Sequence, residues 1–159
     1  MNKFEKAYKI LEKNVKCPSG CSLCEIYGIV FLPNELEFLV KKNQIDKKDK
    51  KKFAKVYYYG GHKIYALLMD NGDCPFKNKI GRCINCGART LDCRTHPAIP
   101  IFGHDKIEIY FDKKCPLVQR GKIPKDFKKR ARRAWHLVNP PRWWKNFYNK
   151  IQIQNFGYL

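Results

Sequence analysis

Carboxylates are scarce in this chain. Its 14 Asp and Glu stand against 33 Lys and Arg, a formal net charge of +19 over 159 residues. That imbalance points to an anionic partner such as RNA, DNA, an acidic protein or a phosphate-rich surface. Eight deprotonated cysteines would take eight units from the formal count. Lys-, Ile- and Tyr-rich usage is also common in thermophile chains, where it need not mark a binding site. Long apolar runs are missing too: no stretch of eighteen apolar residues exists, which excludes a membrane-spanning helix. Residues 1–15, MNKFEKAYKILEKNV, carry charge throughout and lack the apolar centre of a secretory leader. This predicts an intracellular, cytoplasmic chain with reduced thiols rather than a secreted disulfide framework. No glycine-rich loop follows a clear strand, so nothing marks a nucleotide or methyl-donor site. Few strands and helices alternate, which excludes the large barrel of radical S-adenosylmethionine enzymes.

Against these absences stand eight cysteines. Four fall within DCPFKNKIGRCINCGARTLDCR: Cys74, Cys83, Cys86 and Cys93. Three more form an upstream cluster, Cys17, Cys21 and Cys24, and Cys115 follows alone. A thiolate is a soft ligand that suits zinc and iron–sulfur clusters. Short C-x3-C and C-x2-C steps let the sulfurs of one turn converge on one ion or cluster. Cys17-x3-Cys21-x2-Cys24 has the spacing that holds three irons of a four-iron cluster. The set predicts two distant clusters meeting around metal, with the fourth ligand of the first cluster supplied by Cys93 or Cys115. Single cysteines also serve as small buried apolar residues. The C-x2-C steps occur in dithiol redox enzymes as well, but neither step here opens a helix after a strand in a βαβ unit.

Patterning places these cysteines. Phe4, Tyr8, Leu11 and Val15 mark one face of a helix expected to end near Lys16. Pro18 and Gly20 then turn the chain at the first cluster. Residues 26–32 read as a short buried strand, with Pro33 in the first turn of an acidic-headed helix carrying Glu35 and Glu37. The lysine-rich stretch over residues 41–55 reads as a solvated loop or helix end. Aromatic and apolar residues on either side of Gly60-Gly61 predict a hairpin. Ile107, Ile109 and Phe111 alternate as a strand. Phe127, Ala131, Ala134, Trp135 and Val138 stripe a helix that starts after Pro124 and stops at Asn139-Pro140-Pro141.

Residues 17–118 resemble the YkgJ family, a cysteine-cluster domain regarded as zinc- or iron-chelating. The likeness rests on four elements in order. They are Cys17, Cys21 and Cys24 with the strand and the helix start at Glu35; Gly72-Asp73-Cys74-Pro75-Phe76; Cys83, Arg89 and Cys93-Arg94; and Cys115-Pro116. Glu25 departs from the family's Cys-Cys pair, Cys86 from its tyrosine and Thr90 from its proline. The resemblance implies metal chelation as iron–sulfur, with relatives among flagellin lysine N-methylases. It implies that Cys86 takes over the missing sulfur.

The sequence therefore predicts an α+β protein whose short strands and helices are organised around metal held by cysteine. Residues 1–121 form the cysteine-cluster domain, and residues 122–159 a basic aromatic arm packed on it or extending from it. The metal candidates are Cys17, Cys21, Cys24, Cys74, Cys83, Cys86, Cys93 and Cys115, around a 4Fe-4S cluster or zinc. Arg89 and Arg94 are candidates to bind a carboxylate or phosphate, or to pair with Asp73 or Asp92. His96 is an alternate ligand, and His62 and His104 are given no role. The function classes are a cluster-dependent enzyme or electron-transfer component acting on a small molecule or protein, and a structural module that binds RNA or protein. The arm carries Lys122, Lys125, Lys128, Lys129, Arg130, Arg132, Arg133, Arg142, Lys145 and Lys150 against the single Asp126 over residues 122–150. Those cations, with Trp143 and Trp144, could hold phosphates and stack bases. They could also dock at a membrane interface, or the tryptophans could close over the metal region as a lid.

Overall fold

The computed structural model describes residues 1–12, 29–67, 74–80, 83 and 85–156. In chain order its helices are α1 Lys3–Ile10, α2 Glu35–Lys41, α3 Lys50–Phe53, α4 Leu91–Thr95, α5 Pro116–Gln119, α6 Phe127–Val138 and α7 Arg142–Phe156. Strands β1 Ala54–Tyr59 and β2 His62–Leu67 make one antiparallel hairpin, and β3 Ala98–Phe102 and β4 Ile107–Phe111 make another. Helices beside two small antiparallel sheets give the expected α+β class. No described helix is long and apolar enough to cross a membrane.

Two compact units result: Met1–Lys16 with Arg94–Leu159, and Cys17–Cys93. This division differs from the expected one at residue 121. The physical reason is that α6 and α7 are structural parts of the first unit, packing with α1, β3 and β4.

In the first unit, α1 starts at a reciprocal cap. Asn2 Oδ1 accepts from Phe4 N and Glu5 Oε2 accepts from Asn2 N, satisfying N–H groups that the helix leaves open. The helix ends at Ile10 rather than near Lys16, with Leu11 as a buried C-cap. On α6 the expected apolar stripe is buried in full: Phe127, Ala131, Ala134, Trp135 and Val138. Asn139 stops α6 in a left-handed conformation before the two prolines. No local pattern marks β3: Pro100 interrupts its apolar run, and proline removes a ladder donor and demotes a strand. It pairs with β4 regardless, with Pro100 opposite Ile109. The core of this unit is aromatic. Phe102 meets Trp135, Trp144 and Tyr148 edge-on, with centroids 5.6, 6.1 and 5.9 Å away. Asn149 then copies a strand partner: its Oδ1 accepts from Phe102 N at 2.9 Å and its Nδ2 donates to Phe102 O at 2.8 Å.

The second unit holds the β1–β2 hairpin. Gly60 and Gly61 take positive φ, 54° and 77°, as a tight hairpin turn demands. Of the strand expected over residues 26–32, residues 29–32 are described, and they lie along β2. Val30 bridges Ala66, Phe31 N donates to Tyr65 O, and Leu67 N donates to Ile29 O. Pro33 stands before α2 rather than in its first turn. Asn34, with φ 67°, makes the corner and α2 begins at Glu35.

Candidate metal centre

Among the described cysteines of the second unit, Cys74 and Cys83 sit on tight turns and Cys93 in a helix. Cys74 O accepts from Lys77 N at 2.9 Å, and Lys77 forms an antiparallel bridge with Cys83. The chain therefore leaves Cys74 and returns to Cys83 within one short loop. Phe76 anchors that loop, buried and stacked on Phe53 at 4.9 Å. Next comes the 3-10 turn Cys86–Ala88, fixed by Asn85. The Asn85 Oδ1 accepts from Ala88 N at 3.2 Å, and its Nδ2 donates to Gln44 O at 2.8 Å. A Cβ at Gly87 would meet Oε1 of Gln44, the far end of a side chain that could shift aside.

Cys93 stands in the first turn of α4. Thr90 caps this helix, its Oγ1 accepting from Cys93 N at 3.1 Å. Thr90 is buried in this role. Cys74, Cys83 and Cys93 are half-buried. Cys115 belongs to the first unit, buried at the N-cap of α5 with Pro116 behind it. No disulfide joins two of the described cysteines. Among the described residues no three of His, Cys, Asp or Glu converge on a metal position. Cys17, Cys21, Cys24 and the side chain of Cys86 lie outside the described residues. As donors the described thiols fit a soft metal. By themselves they do not complete a site.

A residue that the sequence reading placed only by charge turns out to join the segments. Glu35 was assigned to the positive end of its helix, yet its carboxylate is fully buried. Its Oε2 accepts from Leu32 N at 2.9 Å and its Oε1 from Leu91 N at 2.6 Å. It thus ties the start of α2 to the start of α4, two residues before Cys93. Asp92 lies beside it, with Oδ2 3.4 Å from Val30 N.

Arg89 is half-buried, and the guanidinium of Arg94 lies 4.0 Å over the ring of Tyr8. Arg94 is therefore engaged by an aromatic face within the first unit. His96, the alternate ligand, faces Asp112 instead. Its Nε2 lies 3.4 Å from Asp112 Oδ2, long for a hydrogen bond. Asp112 is buried and its Oδ1 accepts from Lys114 N at 2.9 Å. Burial pushes its carboxyl up, but His96 and the Lys114 N–H outweigh burial and hold it below the usual carboxylate range. A depressed folded-state pKa stabilises the fold above the unfolded value of about 3.9. That stability is lost as pH falls through the folded value. Asp112→Asn should flatten this acid limb when denaturant unfolding is followed across pH; an unchanged limb would refute the role.

The arm keeps its cations but not its stacking rings. Lys128, Lys129, Arg132, Arg133 and His136 lie exposed on α6. Trp144, by contrast, is 0 % exposed and stacks on Tyr148 at 4.9 Å, 16° from parallel. Trp143 is half-buried. The expectation of two tryptophans available to bases is corrected for Trp144, because α7 turns its Trp144, Tyr148 and Gln152 face inward.

No family model, curated protein or solved structure matches the chain.

Proposed function

We propose that this chain is a cytoplasmic metal protein of the cysteine-cluster type it resembles. Its cysteines would hold an iron–sulfur cluster, with a four-thiolate zinc site as the other occupant the same residues suit. One observation carries the reading: Cys74 and Cys83 lie on one tight loop and Cys93 in the first turn of α4, all three half-buried within a span of twenty residues. Cys17, Cys21, Cys24 and Cys86, which fall in the same unit, would complete the donor set. Such a cluster supplies electron transfer or a Lewis-acid position for a small-molecule or protein substrate. The protein's own residues do the rest. Phe76, Asn85, Thr90 and Glu35 set the turns that present the thiols. Because the donors come from distant segments, the free energy of metal binding would be folding free energy. A second reading, a structural zinc module with a basic surface for RNA or protein, draws support from the exposed cations of α6.

Protein purified without oxygen should be brown and contain iron with acid-labile sulfide. Cys21→Ser should lose metal and gain protease sensitivity near Lys16 and Glu25. Stoichiometric zinc without sulfide would select the structural reading. No metal, with cysteines paired as disulfides, would overturn both.

A further inference from the structure

The hairpin of the second unit carries an exposed aromatic face for which the metal centre has no use. Opposite residues of an antiparallel pair share a face. Val56 lies opposite Tyr65 and Tyr58 opposite Lys63, so these four side chains occupy one side of the sheet. The other side carries Ile64 and Ala66, both buried, so it faces the core. The outer side is open. Tyr58 is 75 % exposed and Val56 38 %, and Tyr65 is half-buried. Among the described residues no strand pairs with the free edge of β1, where Tyr57 is 43 % exposed.

Cations frame these rings. Nζ of Lys50 and of Lys63 lie 5.2 and 5.1 Å from the centroid of Tyr65; Lys55 and Tyr57, with Nζ 5.2 Å from the ring centroid, share the opposite side with Ala66 and Ile64. Residues 41–63 hold nine lysines and two aspartates, 9 − 2 = +7. Local acids neutralise three of the lysines: Glu37 on Lys50, Asp46 on Lys48 and Asp49 on Lys52. Lys41, Lys47, Lys51, Lys55 and Lys63 form no ion pair with a described residue. The stretch read from sequence as a solvated loop leads directly into the aromatic strand.

We propose that this face binds single-stranded nucleic acid, with Tyr58 and Tyr65 stacking bases and the flanking lysines taking phosphates. Tyr58 and Tyr65 are diagonal neighbours on one face, roughly 7–8 Å apart with their Cβ atoms somewhat closer. Two rings at that separation can serve two bases of a strand whose own stacking is broken. Any base has a π-face, so the platform tolerates sequence. A membrane-docking face would instead present large aliphatic side chains or tryptophan, and Val56 is the single aliphatic here. Duplex nucleic acid buries its base faces and offers nothing to stack on.

The test is fluorescence anisotropy with the full chain, a labelled oligouridylate, its deoxy counterpart and a duplex, titrated at several salt concentrations. The single strands should bind, the duplex more weakly. Comparison of the two single strands distinguishes RNA from DNA as the preferred ligand. Tyr58→Ala should weaken single-strand binding roughly tenfold at every salt concentration, since stacking is lost but no charge is. Changing Lys51 and Lys63 together to Ala should lower the salt slope by about 1.4, at about 0.7 counterions released per phosphate neutralised on a single strand. Arg132→Ala with Arg133→Ala should change neither quantity much. Circular dichroism should show Tyr58→Ala folded, as its side chain is mostly in solvent. Any of three results would overturn the proposal: no binding at low salt, equal binding of duplex, or Tyr58→Ala indistinguishable from wild type. Binding of anionic phospholipid vesicles that survives Tyr58→Ala, with no single-strand binding, would assign the charge to a membrane surface instead.

Discussion

Trp135→Ala should destabilise the first unit by about 3–5 kcal/mol, the range for deleting a fully buried large aromatic. The ring is 0 % exposed and touches Phe102, Trp144 and Tyr148, with centroids 5.6, 5.9 and 5.8 Å away. Its removal leaves a cavity among residues that α6, α7 and β3 hold in place, so collapse can refill little of it. A second loss is polar. The indole N–H donates to Thr95 Oγ1 at 3.2 Å, and that buried hydroxyl would lose its donor. Trp135→Phe separates the two terms, keeping a ring while deleting the donor, and should cost less than half as much. Denaturant unfolding monitored by near-ultraviolet circular dichroism reads the difference. For a chain of this length the alanine change should lower the melting temperature by on the order of 10 °C. An alanine variant within 1 kcal/mol of wild type would mean that the aromatic cluster is not the core of this unit. That bound is about a third of the smallest expected cost.

Glu35→Ala should be comparably damaging in the second unit, about 3–5 kcal/mol. Two buried backbone N–H groups, Leu32 and Leu91, donate to its carboxylate. Hydrogen bonds to a charged group contribute about 1.5–3 kcal/mol each, and a buried donor left without an acceptor carries a desolvation penalty of similar size. Glu35→Gln is the sharper probe. Its amide offers one oxygen where two are needed, and its NH2 would face a second donor. Glutamine should therefore behave more like alanine than like an isostere. Full stability in Glu35→Gln would show that a single acceptor suffices. Metal content of both variants should be measured alongside, because Leu91 begins the helix that carries Cys93. Hydrogen exchange at Leu32 and Leu91 should accelerate in both variants, locating the damage independently of the metal.

Several local elements were legible from residue pattern alone. The i, i+4, i+7, i+8, i+11 stripe of α6 put Phe127, Ala131, Ala134, Trp135 and Val138 on one face, and all are buried. Gly60-Gly61 between aromatic runs gave the first hairpin, because only a positive-φ pair closes such a turn comfortably. Those features are encoded within a dozen neighbouring residues. The metal expectation is of another kind, resting on ligand chemistry and cysteine spacing alone. Residues 17–24, on which half of that argument rests, lie outside the described residues.

What the sequence determined by itself was composition and local period: a basic chain rich in thiols, its α+β class, the apolar face of α6 and the glycine turn of the first hairpin. Tertiary structure alone decided the partners. Pro100 sits in a strand because Ile109 lies opposite, and Trp144 is core rather than platform because Tyr148 and Phe102 meet it. Glu35 became a buried clasp because Leu91, 56 residues on, presents an N–H to it. Tyr58 is left in solvent because the hairpin has one buried side and nothing described covers the other. Period tells which residues share a face, but which face is covered depends on segments far away in the chain, and no local pattern encodes that.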